Sequence, residues 1–170
     1  MSEMRSTNRD PIARIAVCAP IYVVWAHRRI GMGLDAAVYK SVSTMEREFP
    51  GYRFQREPMT GECEVIHPEG VNLALDTVMA YNKWLGNVSH IGELSRTIEG
   101  YLGPTSALER LVLYSGGHMG DVIEEPSFAE LERELKLIES SPDAWVREFA
   151  DGLVELIGMA RREKNPIVFV

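Results

Sequence analysis

The stretch richest in chemical groups is Ser115-Gly116-Gly117-His118-Met119-Gly120-Asp121. It places a hydroxyl, an imidazole and a carboxylate among three glycines. Glycine admits positive φ and lets backbone N–H groups converge on an anion or a closely approaching ligand. In that setting His118 would serve as a general base, Asp121 would orient it, and Ser115 would be the nucleophile or the group attacked. These three are the catalytic candidates. Gly116, Gly117, His118 and Asp121 are also the candidate contacts for a ligand or partner. The competing reading is a tight connection in which glycine supplies the turn and the polar side chains satisfy loop backbone.

Other chemistry finds little footing. A zinc site needs three or four ligands. His118 and Asp121 supply two, and His67 and His90 lie on separate elements, so no metal site is expected. There is no Gly-x-x-x-x-Gly-Lys-Ser/Thr phosphate loop and no Gly-x-Ser-x-Gly elbow. No cofactor is expected. Cys18 and Cys63 show no metal-ligand spacing and form no disulfide framework. Two lone cysteines suit a reducing compartment.

Charge narrows the choice of partner. The 170 residues carry a formal net charge of −7. Residues 1–31 hold five arginines against two acids, which leaves −10 on residues 32–170. Residues 121–155 alone hold eleven acids against Arg133, Lys136 and Arg147. Such a surface repels nucleic acid and anionic lipid and attracts basic proteins. No basic stripe with interleaved aromatics appears, so nucleic-acid binding is not expected.

The elements that would position these groups follow from periodicity and breakers. Residues 33–40 read as a first strand, and residues 41–49 as a short helix or loop. Two strands, 52–57 and 62–67, flank Pro58-Met59-Thr60-Gly61, a hairpin turn with proline presetting φ and glycine supplying the positive φ. His67-Pro68-Glu69-Gly70 breaks the sheet. Leu75, Val78, Met79, Tyr81 and Leu85 recur at helical spacing and predict a helix ending at Gly86-Asn87. A second helix from Asn87 or Ser89 carries Val88, Ile91, Leu94, Ile98 and Tyr101, and Gly103-Pro104 stops it. Thr105 or Ser106 caps a short turn before a buried strand over 111–114.

After the glycine loop, Ser127 followed by Glu130 reads as a capping box. That helix has Phe128, Leu131, Leu135 and Ile138 as its apolar stripe. Ser141-Pro142 opens the last helix, with proline at the first helical position. Its buried face is Val146, Phe149, Leu153, Leu156, Ile157 and Ala160, and Arg161, Arg162 and Lys164 complement its C-terminal dipole. Asn165-Pro166 breaks it, and residues 167–170 form a buried strand inside the sheet, because an exposed apolar edge invites aggregation. The expected class is α+β: a small, mostly antiparallel sheet of four or five strands with helices mainly on one face.

Residues 1–31 stand apart from a single domain over 32–170. Residues 15–26 form an apolar run flanked by arginines, too short for a membrane span of about 20 residues. Three readings fit it: a segment packed on the body, a translated extension upstream of a start at Met32, or an export signal with an imperfect cleavage site. The first two place the protein in the cytoplasm, without a membrane role unless residues 15–26 anchor it.

MGLDAAVYK (32–40), KWLGNVSHI (83–91), VLYSGGHMGD (112–121) and KNPIVF (164–169) together resemble a group of small bacterial proteins. That group has a Ser-Gly-x-His-x-Gly-Asp loop and a closing Asn-Pro-Ile-Val-Phe strand. The resemblance spans 32–170 in scattered blocks, brings no activity with it, and adds weight to Ser115, Gly116, His118, Gly120 and Asp121 as a site.

The functional expectation is an acidic protein-binding module of the immunity-protein kind, neutralising a basic toxin or effector. Glu124, Glu125, Glu130, Glu132, Glu134 and Glu139 would form its electrostatic face, and His118 and Asp121 its specific contacts. The alternative is a small enzyme or an anion- or ligand-binding protein centred on residues 115–121.

Overall fold

A computed structural model describes residues 33–170. The apolar run at 15–26 lies outside the described residues. A four-stranded antiparallel sheet forms the centre, in the order β4 (Met79–Asn87), β1 (Gly33–Tyr39), β6 (Ile167–Phe169), β5 (Val122–Ile123), with a separate hairpin of β2 (Arg53–Arg56) and β3 (Cys63–His67). The class is α+β, as expected. Strand β1 (Gly33–Tyr39) lies between β4 (Met79–Asn87) and β6 (Ile167–Phe169). Strand β5 (Val122–Ile123) pairs with the far side of β6. The last strand therefore sits inside the sheet, and all three of its residues are buried.

The sheet separates two apolar clusters. On one face Leu34, Ala36 and Val38 of β1 and Phe169 of β6 meet α3 (Val88–Leu102), α4 (Glu125–Ile138) and α5 (Ala144–Glu163). The expected stripes do the packing: Ile91, Leu94 and Ile98 from α3, Phe128, Leu131, Leu135 and Ile138 from α4, and the six predicted residues of α5. Val88 and Tyr101, expected on the α3 stripe, are exposed instead. Each fully buried Leu, Ile or Phe contributes about 1.5–3 kcal/mol of transfer free energy. On the other face Tyr39 and Val168 pack with Met45, Phe54, Cys63 and Val78. These come from α1 (Val42–Glu48), from the hairpin β2 (Arg53–Arg56) and β3 (Cys63–His67), and from the single turn α2 (Leu75–Val78).

Two buried polar side chains fasten this smaller layer. The Glu163 carboxylate at the end of α5 accepts from Ser41 N at 3.0 Å, Ser41 Oγ at 3.1 Å and Thr44 Oγ1 at 2.9 Å, and so holds the start of α1. Asn165 Nδ2 donates to the carbonyls of Tyr39 and Gly61, and its Oδ1 accepts from Arg56 Nε at 2.8 Å. Gly61, with φ of 76°, closes the hairpin turn. A Cβ there would lie 2.6 Å from Asn165 Oδ1, so the position requires glycine for conformation and for space.

Four local expectations are corrected. Residues 79–87 are a strand, not a helix: only Leu75–Val78 is helical. Residues i and i+4, such as Tyr81 and Leu85, share a face in a strand as well as in a helix, so their spacing fits both. Pairing with β1, from Gly33 opposite Asn87 to Tyr39 opposite Met79, decides the matter. Register shifts leave Ala80 and Leu85 as extra residues, and a one-residue bulge reverses which face later side chains take. Met79 thus joins the hairpin-side cluster, and Tyr81 joins the helix-side core.

The predicted strand at 111–114 is helical, with a π-helical turn over Glu109–Leu113. A short buried apolar run reads alike in a strand and in a buried helix. Helix α4 begins at Glu125, ahead of the expected capping box, and Ser127 N donates to the Glu124 carbonyl. Pro126 fits this first turn because the N–H it lacks would have no intrahelical partner. Helix α5 begins at Ala144, and Ser141 Oγ accepts from Asp143 N just before it.

Candidate functional site

The glycine loop is pinned to the sheet. Gly120 N donates to the Phe169 carbonyl at 2.8 Å, and Phe169 N donates to the Asp121 carbonyl at 3.0 Å. Gly120 alone in the loop has positive φ, 91°. Gly116 is needed for contact: a Cβ there would lie 2.8 Å from Val88 Cγ1. A Cβ at Gly117 would meet open space. Ser115 Oγ bonds to the Gly117 carbonyl and accepts from Gly117 N, a local turn rather than a nucleophile's arrangement.

His118 is the buried centre of the loop, 8 % exposed. Its ring packs against Tyr114 with centroids 4.4 Å apart and edge-on to Phe169 at 4.0 Å. Nε2 lies 3.0 Å from the Val112 carbonyl. A carbonyl only accepts, so Nε2 carries the proton. Nδ1 is buried without a hydrogen-bond partner among the described residues, 3.5 Å from Asp121 Oδ2. That separation exceeds a hydrogen bond. Burial pushes the imidazole below its ordinary pKa, against the opposing effect of its backbone hydrogen bonds. Tyr114 Oη donates to Asp121. His118 and Asp121 thus lie side by side, but Asp121 accepts from Tyr114 and makes no hydrogen bond that would orient the ring. What sequence reasoning missed is Tyr114, and the enclosure that leaves neither ring nitrogen free for a substrate.

The expected acidic face on α4 is largely compensated. Glu130 pairs with Arg110 Nη2 at 3.3 Å, and Glu132 forms a two-pronged pair with Arg161. Glu134 accepts from Ala107 N at 2.7 Å and Leu108 N at 2.8 Å, closing the N-terminal end of the helical residues 107–113. Glu124 and Glu125 border a cleft of about 120 Å³ shared with Arg56, Arg161 and Lys164. Of the six, Glu139 stands clear of cations among the described residues. The arginines that neutralise α4 are distant in sequence, so counting charge within residues 121–155 overlooked them.

A larger groove opens elsewhere, between β4, α3 and the first turns of α5. It measures about 540 Å³, within the range of ligand and peptide pockets. Leu85, Leu94 and Phe149 give it an apolar base, and Lys83, Trp84, His90, Glu93, Trp145 and Glu148 provide the polar and aromatic lining. Trp84 is 55 % exposed and meets His90 edge-on. Asn87 caps α3 through Oδ1, which accepts from His90 N at 2.8 Å and fixes His90 at the first turn. Lys83 lies along Gly152, where a Cβ would come within 2.8 Å of its Cε, and its Nζ reaches Glu155 at 3.8 Å. The lysine thus leans along α5 toward Glu155, an exposed pair at the outer limit of contact. Glu93 and Glu148 have no ion pair or side-chain hydrogen bond among the described residues.

No sequence motif marked this groove, because its residues come from three elements and the sequence placed residues 79–85 on a helix. Among the described residues no group of three or more His, Cys, Asp or Glu side chains is placed to hold a metal ion. No described helix is long and apolar enough to cross a membrane. No family model, no curated protein and no solved structure matches the chain.

Proposed function

We propose that the protein is a binding module that captures a basic protein partner, of the immunity-protein kind that covers a toxin or effector. The contact surface is the α3–α5 side rather than α4. The observation that carries this reading is the pair of carboxylates Glu93 and Glu148, without an ion pair among the described residues, on a wide groove with two tryptophans. Aromatic side chains anchor protein interfaces, and complementary charge speeds encounter and selects partners. The net −10 of residues 32–170 supports the same sign of partner. A catalytic or ligand site on the 115–121 loop has less support, since both nitrogens of His118 are sequestered.

The test is affinity capture by the immobilised full chain from a lysate of its native cell, at low and high salt. Basic proteins are expected to be retained at low salt and released by added salt, because exposed charge pairs are screened. Glu93→Lys combined with Glu148→Lys is expected to abolish the retention. If no salt-sensitive basic protein is retained, or if charge reversal changes nothing, the reading is wrong.

A further inference from the structure

We infer that the free side of β4 and the adjoining groove form one strand-docking site for an extended segment of that partner bearing lysine or arginine. This deepens the proposed function and rests on it. β4 spans nine residues and ends the sheet. β1 occupies one side of it, and no strand pairs with the other among the described residues. Long edges of this kind template strand addition unless proline, a bulge or a projecting charge blunts them. β4 contains no proline, and its bulges at Ala80 and Leu85 leave residues 81–84 in regular register with β1. Its single lysine is held against α5 by Gly152 and Glu155.

An added strand would lie about 4.8 Å from β4, with alternate side chains directed to the helix-bearing face. That face is where the groove begins. A lysine or arginine entering it finds its aliphatic stem beside Leu94 and Phe149 and its charge beside Trp145, Glu93 and Glu148, with Lys83 drawn toward Glu155 on α5. Indole faces and carboxylates both attract a cation. An acidic segment meets the same carboxylates as repulsion. A second copy of this chain would bring Glu93 and Glu148 against their own symmetry mates and is disfavoured for that reason.

Fluorescence anisotropy with the full chain tests the site. The probes are fluorescein-labelled nine-residue peptides: alternating lysine and valine, the same with glutamate for lysine, and the lysine peptide N-methylated at alternate residues in each register. The lysine peptide is expected to bind and the glutamate peptide not to. Glu93→Gln with Glu148→Gln, two exposed changes that leave the core intact, is expected to weaken the lysine peptide about 5- to 10-fold. N-methylation in at least one register is expected to weaken it tenfold or more, since it removes the donors that strand addition needs. Failure of the lysine peptide to bind, an unchanged affinity in the double variant, or equal binding of both N-methylated peptides would each overturn the inference. If lysate capture of a basic protein persists in such a case, the partner reading stands and only the strand-docking site is lost.

Discussion

Glu134 separates the structural from the interfacial reading of the acidic helix α4. Its carboxylate receives the backbone N–H groups of Ala107 and Leu108, residues that are 0 % exposed, at 2.7 and 2.8 Å. These amides are at the start of a helical segment, where N–H groups lack intrahelical partners. A hydrogen bond to a charged acceptor contributes about 1.5–3 kcal/mol. The carboxylate is half-buried, so water recovers part of that when it is removed. Glu134→Ala is therefore expected to cost about 2–3 kcal/mol, and Glu134→Gln, which keeps one acceptor without the charge, about 1–2 kcal/mol. At about 2–4 °C per kcal/mol for a chain of this size, Glu134→Ala lowers Tm by roughly 4–12 °C. Glu139→Ala, an exposed carboxylate with no partner among the described residues, stays within about 0.5 kcal/mol of the parent. Urea unfolding followed by tryptophan fluorescence gives the comparison, with the slope against denaturant checked for constancy. If Glu134→Ala and Glu139→Ala unfold at the same midpoint, the capping role is refuted and Glu134 counts as a free carboxylate, while Glu130 and Glu132 stay paired with Arg110 and Arg161.

Two further outcomes follow from buried groups. Desolvation would raise the Glu163 carboxyl, but its hydrogen bonds from Ser41 and Thr44 win and hold it below its ordinary 4.5. A group with a depressed folded pKa stabilises the fold above its unfolded value, and that contribution is lost as pH falls through the folded value. The stability gap between the parent and Glu163→Gln is therefore expected to be constant near neutrality and to close below about pH 4.5. Chemical unfolding across pH 3–7 reads this, and a gap that persists undiminished at the acid end refutes it. Burial pushes the Cys63 thiol up to about 11 from 9.0, and its Sγ donates to the Lys40 carbonyl at 3.1 Å. In a Cys18→Ser background, native Cys63 is expected to react with a thiol reagent at pH 8 roughly 100-fold more slowly than in the unfolded chain. Equal rates would show that the hairpin does not cover it.

The sequence by itself determined the features that depend on local chemistry. The Pro58 and Gly61 turn, the apolar stripes of α4 and α5, the Ile91, Leu94 and Ile98 centre of the α3 stripe, the breaks at Gly103 and Asn165, and the internal position of Ile167–Phe169 are all legible from spacing and residue type. His118 and Asp121, three residues apart in a glycine loop, lie 3.5 Å apart without the orienting hydrogen bond expected of them.

Tertiary structure decided whatever depends on distant partners. β4 is a strand because β1 offers it a ladder, and Tyr81 with Leu85 fits either periodicity. The charge on α4 is spent on Arg110, Arg161 and the amides of residues 107 and 108, none of which its own sequence can announce. His118 became a core residue when Phe169, from the far end of the chain, closed against its ring. The groove exists only where β4, α3 and α5 converge, since a pocket is the space between elements and no element encodes it alone.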